Sequence, residues 1–156
     1  MADDATHQYL TFTLCGEHFA LPSLLVSEVL DMPPMTVVPL APGHLRGVVN
    51  LRGNAATVVD LGCKLELEFG SKAPTCLIIV ERDYDGDTLA VAALADAVHE
   101  VVEIADADIA PPPDMGLAVP PRFVRGLVSL EGTFTIILDA DRLFSLEELS
   151  ADSGEL

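Results

Sequence analysis

A chain of 156 residues, half of them hydrophobic, is long enough to bury one core or two small units that share one. Its formal charge of −17, from 25 acidic and 8 basic residues, repels nucleic-acid phosphates and anionic membrane surfaces and leaves proteins as the expected partners. The apolar runs are too short to span a bilayer and the opening MADDATHQ lacks the layout of a signal peptide, so a soluble, cytoplasmic chain with no direct membrane insertion is expected.

Residues 1–8 read as a disordered tail. YLTFTL, residues 9–14, alternates with period 2, CGEH supplies a turn and FALP resumes extended structure, which makes a hairpin. The apolar run LLVSEVL, 24–30, fits a short helix or a strand. DMPPMTVVPLAPG then carries four prolines, which fix φ and lack a ladder donor, so an irregular connector follows. LRGVVNL and AATVVDL read as strands joined by the turn RGN, with Gly53-Asn54 tolerating positive φ. After GSKAP come the strand TCLIIVE, a turn at Asp85-Gly86 and the strand LAVAAL. DAVHEVVEI, 96–104, echoes the segment around Glu28. A second proline-rich connector precedes RFVRGLVSL, EGT and FTIILD. ADRLFSLEEL looks helical at its end, and 150–156 should fray.

The chain repeats itself. LRGVVNLRGNAATVVDL recurs 79 residues later as VRGLVSLEGTFTIILDA, matching Arg46 to Arg125, Gly47 to Gly126, Gly53 to Gly132 and Asp60 to Asp139. VSEVL recurs as VHEVV 72 residues later, Glu28 matching Glu100. Two copies of one all-β unit follow, with approximate halves 9–70 and 75–149 and a first strand able to cross over. Four or five short strands are too few for a sandwich but enough for a small barrel, and two barrels packed together hide the remaining apolar surface. Arg46 recurs as Arg125, which suits a structural task in each copy. Arg52 meets Glu131 instead, so one hairpin tip alone carries a cation, as a binding surface would.

Catalysis has little support. His7, His18, His44 and His99 are scattered without a metal-ligand spacing, and Cys15, Cys63 and Cys76 have none either, so neither a metal nor a disulfide framework is signalled. DYDGD lacks the glycine and acid positions of a calcium loop, and no glycine-rich phosphate motif occurs. No catalytic, cofactor or metal residue is assigned. Glu28 and Glu100 read as exposed carboxylates flanked by buried valines rather than as an acid/base pair. The aromatic content offers no stacking platform for bases.

YLTFTLCGEHFALPSLLVSEVL, a P-x-x-P, HLRGVVNLRG with VVDL, ADAVHEVVEI and VRGLVSLEG, in this order, resemble the CheW chemotaxis coupling family and the related regulatory domain of the histidine kinase CheA, from about Tyr9 to Leu149. The resemblance implies a single domain, 9–149, of two SH3-like five-stranded β-barrels with short helices in connectors and at the C-terminus. It implies a non-catalytic adaptor, recruited to membrane-associated receptor arrays, whose partners are a chemoreceptor's cytoplasmic tip and a CheA-like kinase regulatory domain. Carried over by position, the partner-binding residues are Val26, Glu28, Gly47, Arg52 and Gly53, with Ala92 and Val101 on the second barrel's share of the receptor groove. Asn54 and Thr57 stand where the family has an apolar residue or lysine and then a proline, and Ala92 and Ala97 where glycine is usual. Those departures leave open a coupling protein of a pilus or other chemosensory system, or a receptor-binding scaffold that does not activate a kinase. A small-molecule-binding barrel is the third reading.

Overall fold

The computed structural model describes residues 5–31, 36–37, 45–51, 53–59, 76–84, 87–113 and 119–144; within these, for 36–37, 45–48, 50–51, 54–55, 82–84 and 87–89 it describes the backbone. Eleven strands are described: β1 (Thr6–Leu14), β2 (Glu17–Pro22), β3 (Val26–Asp31), β4 (Thr36–Val37), β5 (Leu45–Leu51), β6 (Asn54–Val59), β7 (Cys76–Tyr84), β8 (Asp87–Ala95), β9 (Ala97–Ala105), β10 (Val124–Leu130) and β11 (Thr133–Leu138). Short 3₁₀ turns cover Ser23–Leu25, Asp106–Asp108 and Pro121–Phe123, and one short helix, α1, covers Ala140–Leu143.

The strands form two sheets, ordered β10-β11-β2-β1-β9 and β3-β7-β8-β6-β5-β4. Read strand for strand, the two orders are the same: β5, β6, β8, β7 and β3 occupy the places of β10, β11, β2, β1 and β9. Each sheet contains one parallel pair at the same place, β11 beside β2 and β6 beside β8. The fold is all-β, and the repeat seen in the sequence is a repeat of sheets. The sheets nevertheless cut across the halves 9–70 and 75–149. Hairpin β1–β2 hydrogen-bonds with β9 on one side and β11 on the other, with β10 beyond β11, so one barrel is built from both ends of the chain and the other from its middle. We call them the terminal and the central barrel.

Each sheet curls back on itself through the stretch that follows its edge strand. In the terminal barrel Ala110 exchanges two backbone hydrogen bonds with Leu127, each 2.8 Å. In the central barrel β4 pairs with β5, Val37 opposite Gly47. Gly126 shows why an Arg-Gly pair recurs: a Cβ there would lie 2.5 Å from Ile109 Cγ2 and 2.6 Å from the Ala110 carbonyl oxygen, inside contact distance. Gly47 holds the same register position opposite the closing strand.

Strand alternation sorts the apolar side chains into three clusters. Leu10, Phe12 and Leu14 of β1, with Phe19 and Leu21 of β2, face a core shared by both sheets, where Ile78, Val80, Val91 and Ala93 meet them from the central barrel. The opposite faces fill the barrel interiors. Tyr9, Ala20, Ile104, Val128 and Ile137 occupy the terminal barrel, and Val49, Ala56, Val58, Leu77, Ile79, Ala92 and Leu94 the central one. Full burial of each large side chain contributes about 1.5–3 kcal/mol, so the shared core binds the two barrels into one unit.

Several local expectations are refined. β1 begins at Thr6, whose partner is Ala105, so Thr6, His7 and Gln8 are strand rather than tail. The first hairpin turns on Cys15-Gly16 and the last on Glu131-Gly132, both with positive φ at both positions, the geometry that matches strand twist. In the middle hairpin Gly53 has φ +87°, but Asn54 already pairs with Leu51, so Asn54 belongs to β6 and not to the turn. The ambiguous run after Ser23 resolves into a 3₁₀ turn and then strand β3. α1 comes at the start of ADRLFSLEEL. The Asp139 side chain caps it by accepting a hydrogen bond from the Arg142 N–H at 3.2 Å. The expected helix end, the turn at Asp85-Gly86, and the tails 1–4 and 150–156 lie outside the described residues.

Candidate partner-binding site

The two V-x-E-V segments lie on the two edge strands, β3 and β9, each paired on one side only. Both carry a β-bulge at the motif. Val26 pairs with Val80 and Glu28 with Ile79, leaving Ser27 as the extra residue. Val98 pairs with Phe12 and Val101 with Leu10. The second bulge is pinned by Thr11, whose hydroxyl donates to the Glu100 carbonyl at 2.9 Å and accepts from the Glu100 N–H at 3.3 Å. At the first bulge the Ser27 hydroxyl donates to the Ile79 carbonyl at 3.4 Å. Bulges twist an edge away from further pairing and re-aim side chains.

Their consequence is visible in burial. Val26 and Val98 are half-buried against the shared core, while Val29 and Val101 are 40% and 51% exposed. Glu28, opposite Ile79, lies with Leu30 on the face turned to the central barrel, whereas Val26, opposite Val80, lies on the face of the shared core; Glu28 is half-buried and Glu100 exposed. The expectation of exposed glutamates flanked by buried valines holds for Glu100 and is corrected elsewhere: Glu28 is half-buried, and in each motif the first valine packs on the shared core while the second is exposed.

The other candidate residues separate. Gly47 lies in β5 opposite Val58 and Val37, and Gly53 sits exposed at a hairpin tip. Arg52 lies outside the described residues. Ala92 does not line a groove. It is 0% exposed inside the central barrel, on β8, because its strand is covered on both faces, by the barrel interior and by the shared core. Val101 is the one residue of that pair with an outward side chain.

Sequence reasoning missed two clefts, both at ends of the terminal barrel. A groove of about 690 Å³ is lined by Thr11, His18, His99, Glu100, Glu131 and Thr135 together with apolar neighbours. The signal was present as threonines and a histidine at period-2 positions of three strands. At the other end a cleft of about 420 Å³ lies between His7, Tyr9, Leu24, Asp106 and Arg125. There His7 Nε2 is 3.5 Å from Asp106 Oδ2, and Leu24 is 96% exposed. Burial pushes the Tyr9 hydroxyl above its ordinary pKa; the Asp106 carboxylate adds to the rise and Arg125 opposes it. Among the described residues no group of three or more His, Cys, Asp or Glu side chains is placed to hold a metal ion. No helix among them is long and apolar enough to cross a membrane.

Comparison with known proteins meets this geometry. The family model described as CheW-like domain matches residues 8–148. The chemotaxis protein CheW of Rhizobium meliloti is 29% identical over 144 residues, covering 92% of this chain and 91% of the relative. That of Klebsiella aerogenes is 27% identical over 143 residues, covering 92% and 84%. The crystal structure of the scaffolding protein TtCheW from Thermoanaerobacter tengcongensis superposes with a TM-score of 0.78 at 28% identity, covering 92% of this chain and 91% of that one.

Proposed function

The chain belongs to the CheW-like domain family, and from that premise we propose that it couples the cytoplasmic tip of a chemoreceptor to the regulatory domain of a CheA-type histidine kinase within a chemosensory array. It is a chemotaxis adaptor without catalysis of its own. The observation that carries the coupling reading is the duplicated, bulged edge. Two barrels joined by a shared core offer β3 and β9 as two edges with exposed valines, one per barrel, and a bridge needs two faces that do not compete. Val29 and Val101 supply apolar centres that a partner can desolvate. Arg52, which precedes Gly53 in the sequence, would add a planar cation able to bond a carboxylate or a backbone carbonyl.

The test is capture of a receptor tip and of a kinase regulatory domain by the wild-type chain, by Val101→Asp and by Arg52→Ala. Val101→Asp is expected to abolish capture of one partner and spare the other. Arg52→Ala should weaken one contact by about 1.5–3 kcal/mol, roughly one to two decades of affinity. Unchanged capture of both partners by both variants overturns the assignment of these surfaces. Receptor capture with no kinase capture by the wild type selects the scaffold that does not activate a kinase, as Asn54 and Thr57 in the hairpin would favour.

A further inference from the structure

The groove at the end of the terminal barrel continues the barrel's own interior. Thr11 lies two residues beyond Tyr9, Thr135 two before Ile137, His18 two before Ala20 and Val102 two before Ile104, so in each strand the groove residue shares a face with an interior residue. The central barrel fills the corresponding places with apolar side chains. The sheet registers match Thr11 to Ile79, Thr135 to Ala56 and His18 to Ala90. Ile79 and Ala56 are buried there and Ala90 packs against them. Packing of a small barrel therefore does not require polar residues at these positions, and the terminal barrel has them all at one end.

Thr135 is the sharpest of these departures. It is 3% exposed, the one polar residue in the buried class among the described residues, and its hydroxyl has no hydrogen-bond partner among them. A buried hydroxyl without a partner costs free energy that a ligand can return. Thr11 is already bonded to the Glu100 backbone and His99 Nε2 to the Thr13 hydroxyl at 2.6 Å, so they build the wall. The His18 and His99 rings stack with centroids 6.2 Å apart and form a flat side. Glu100 and Glu131 place two carboxylates at the rim, neither with an ion-pair partner among the described residues. Val98, Val102 and Leu130 supply the apolar remainder.

We propose that this groove is a binding site for an organic cation, an alkylguanidinium or alkylammonium group, with carboxylates of Glu100 and Glu131 meeting the charge, the Thr135 hydroxyl accepting a hydrogen bond and Val98, Val102 and Leu130 covering the alkyl stem. The planar guanidinium suits the imidazole wall and the paired acceptors best. The net charge of −17 raises the local concentration of any such cation. The groove adjoins the proposed docking edge on β9, where Glu100 and Val102 flank Val101, and takes nothing from Val29 or Arg52.

The test is a titration of the full chain with agmatine, followed by methyl and amide NMR, with an acetylated Gly-Arg-Gly amide as a second arm. Saturable shifts confined to Val98, Val102, Leu130 and Thr135 are expected with agmatine. Equal or tighter binding of the peptide assigns the cation to a protein-borne arginine, and its exclusion assigns it to a free amine; either result supports the site. Glu131→Gln should weaken binding about tenfold and Thr135→Val about fivefold, with the thermal midpoint of Thr135→Val unchanged or raised. Shifts scattered over the acidic surface, shifts that Glu131→Gln and Thr135→Val leave unaltered, or a lowered midpoint in Thr135→Val overturn the proposal, the last by showing that the hydroxyl serves the fold. Glu131, exposed at the hairpin tip, gives a variant whose folding is not at stake.

Discussion

The two barrels have the same strand order, the same parallel pair, the same closing segment and the same edge bulge, yet one interior is apolar throughout its described residues and the other turns polar at one end. Ile79, Ala56 and Ala90 in the central barrel stand where the terminal barrel has Thr11, Thr135 and His18. Duplication fixes the backbone because closure depends on a few positions, the glycine under the closing strand and the paired hairpin tips. Side chains at a barrel's open end are under no such demand. They are where two copies of one unit can acquire different tasks.

The largest expected effect tests whether the barrels are separable at all. Phe12 is fully buried in the shared core, stacked on Phe19 with centroids 5.8 Å apart. Phe12→Ala should cost about 3–5 kcal/mol, and calorimetry should still show a single transition, because the cavity opens in the layer both sheets need. Two separated transitions in the variant or the wild type would show the barrels to be independent units and would remove the basis for treating them as one rigid bridge.

The architecture was legible because its signals are local and repeated. Period-2 alternation, x-Gly hairpin tips and matched Arg-Gly pairs specified short strands, hairpins and two closed units, and a run of family motifs in order named the fold. A crossing first strand was allowed for, but that the whole hairpin β1–β2 joins the far barrel was not legible, since pairing of β2 with β11 joins Phe19 to Ile136 across most of the chain, and alternation says which face a strand buries but not against which neighbour. Burial at the motif failed for a related reason. On a regular strand V-x-E-V puts the first valine and the glutamate on one face and the second valine on the other; the bulges at Ser27 and beside Glu100 break that alternation, so burial along the motif could not be read from spacing. Ala92 looked like a groove residue by family position, but both faces of β8 are covered.

A smaller effect sharpens the contrast between the interiors. Ala56→Thr in the central barrel reproduces the residue that the terminal barrel holds at Thr135. There it would set a hydroxyl among Val58, Ile79 and Leu77 with no groove beside it, at a cost of about 1–3 kcal/mol measured by denaturant midpoint. A neutral Ala56→Thr would mean that either barrel accepts a polar residue at this position and that Thr135 needs no ligand to explain it.

The smallest effect concerns the bulge itself. Thr11 takes the place of Ile79, and in exchange its hydroxyl holds both the N–H and the carbonyl of Glu100 in a stretch where the ladder of β1 and β9 is interrupted. Thr11→Val keeps the β-branched shape and removes both bonds, so it should cost about 0.5–1.5 kcal/mol of stability. Because the site is at the surface, water replaces much of what is lost, and the clearer signature is dynamic: faster amide exchange at Glu100 and Val101, with Glu28 and Val29 unchanged in the other barrel. Equal exchange at the two edges would show that the bulge on β9 is held by the backbone alone, as a bulge with a single long side-chain bond is on β3, and that the two edges differ in sequence without differing in rigidity.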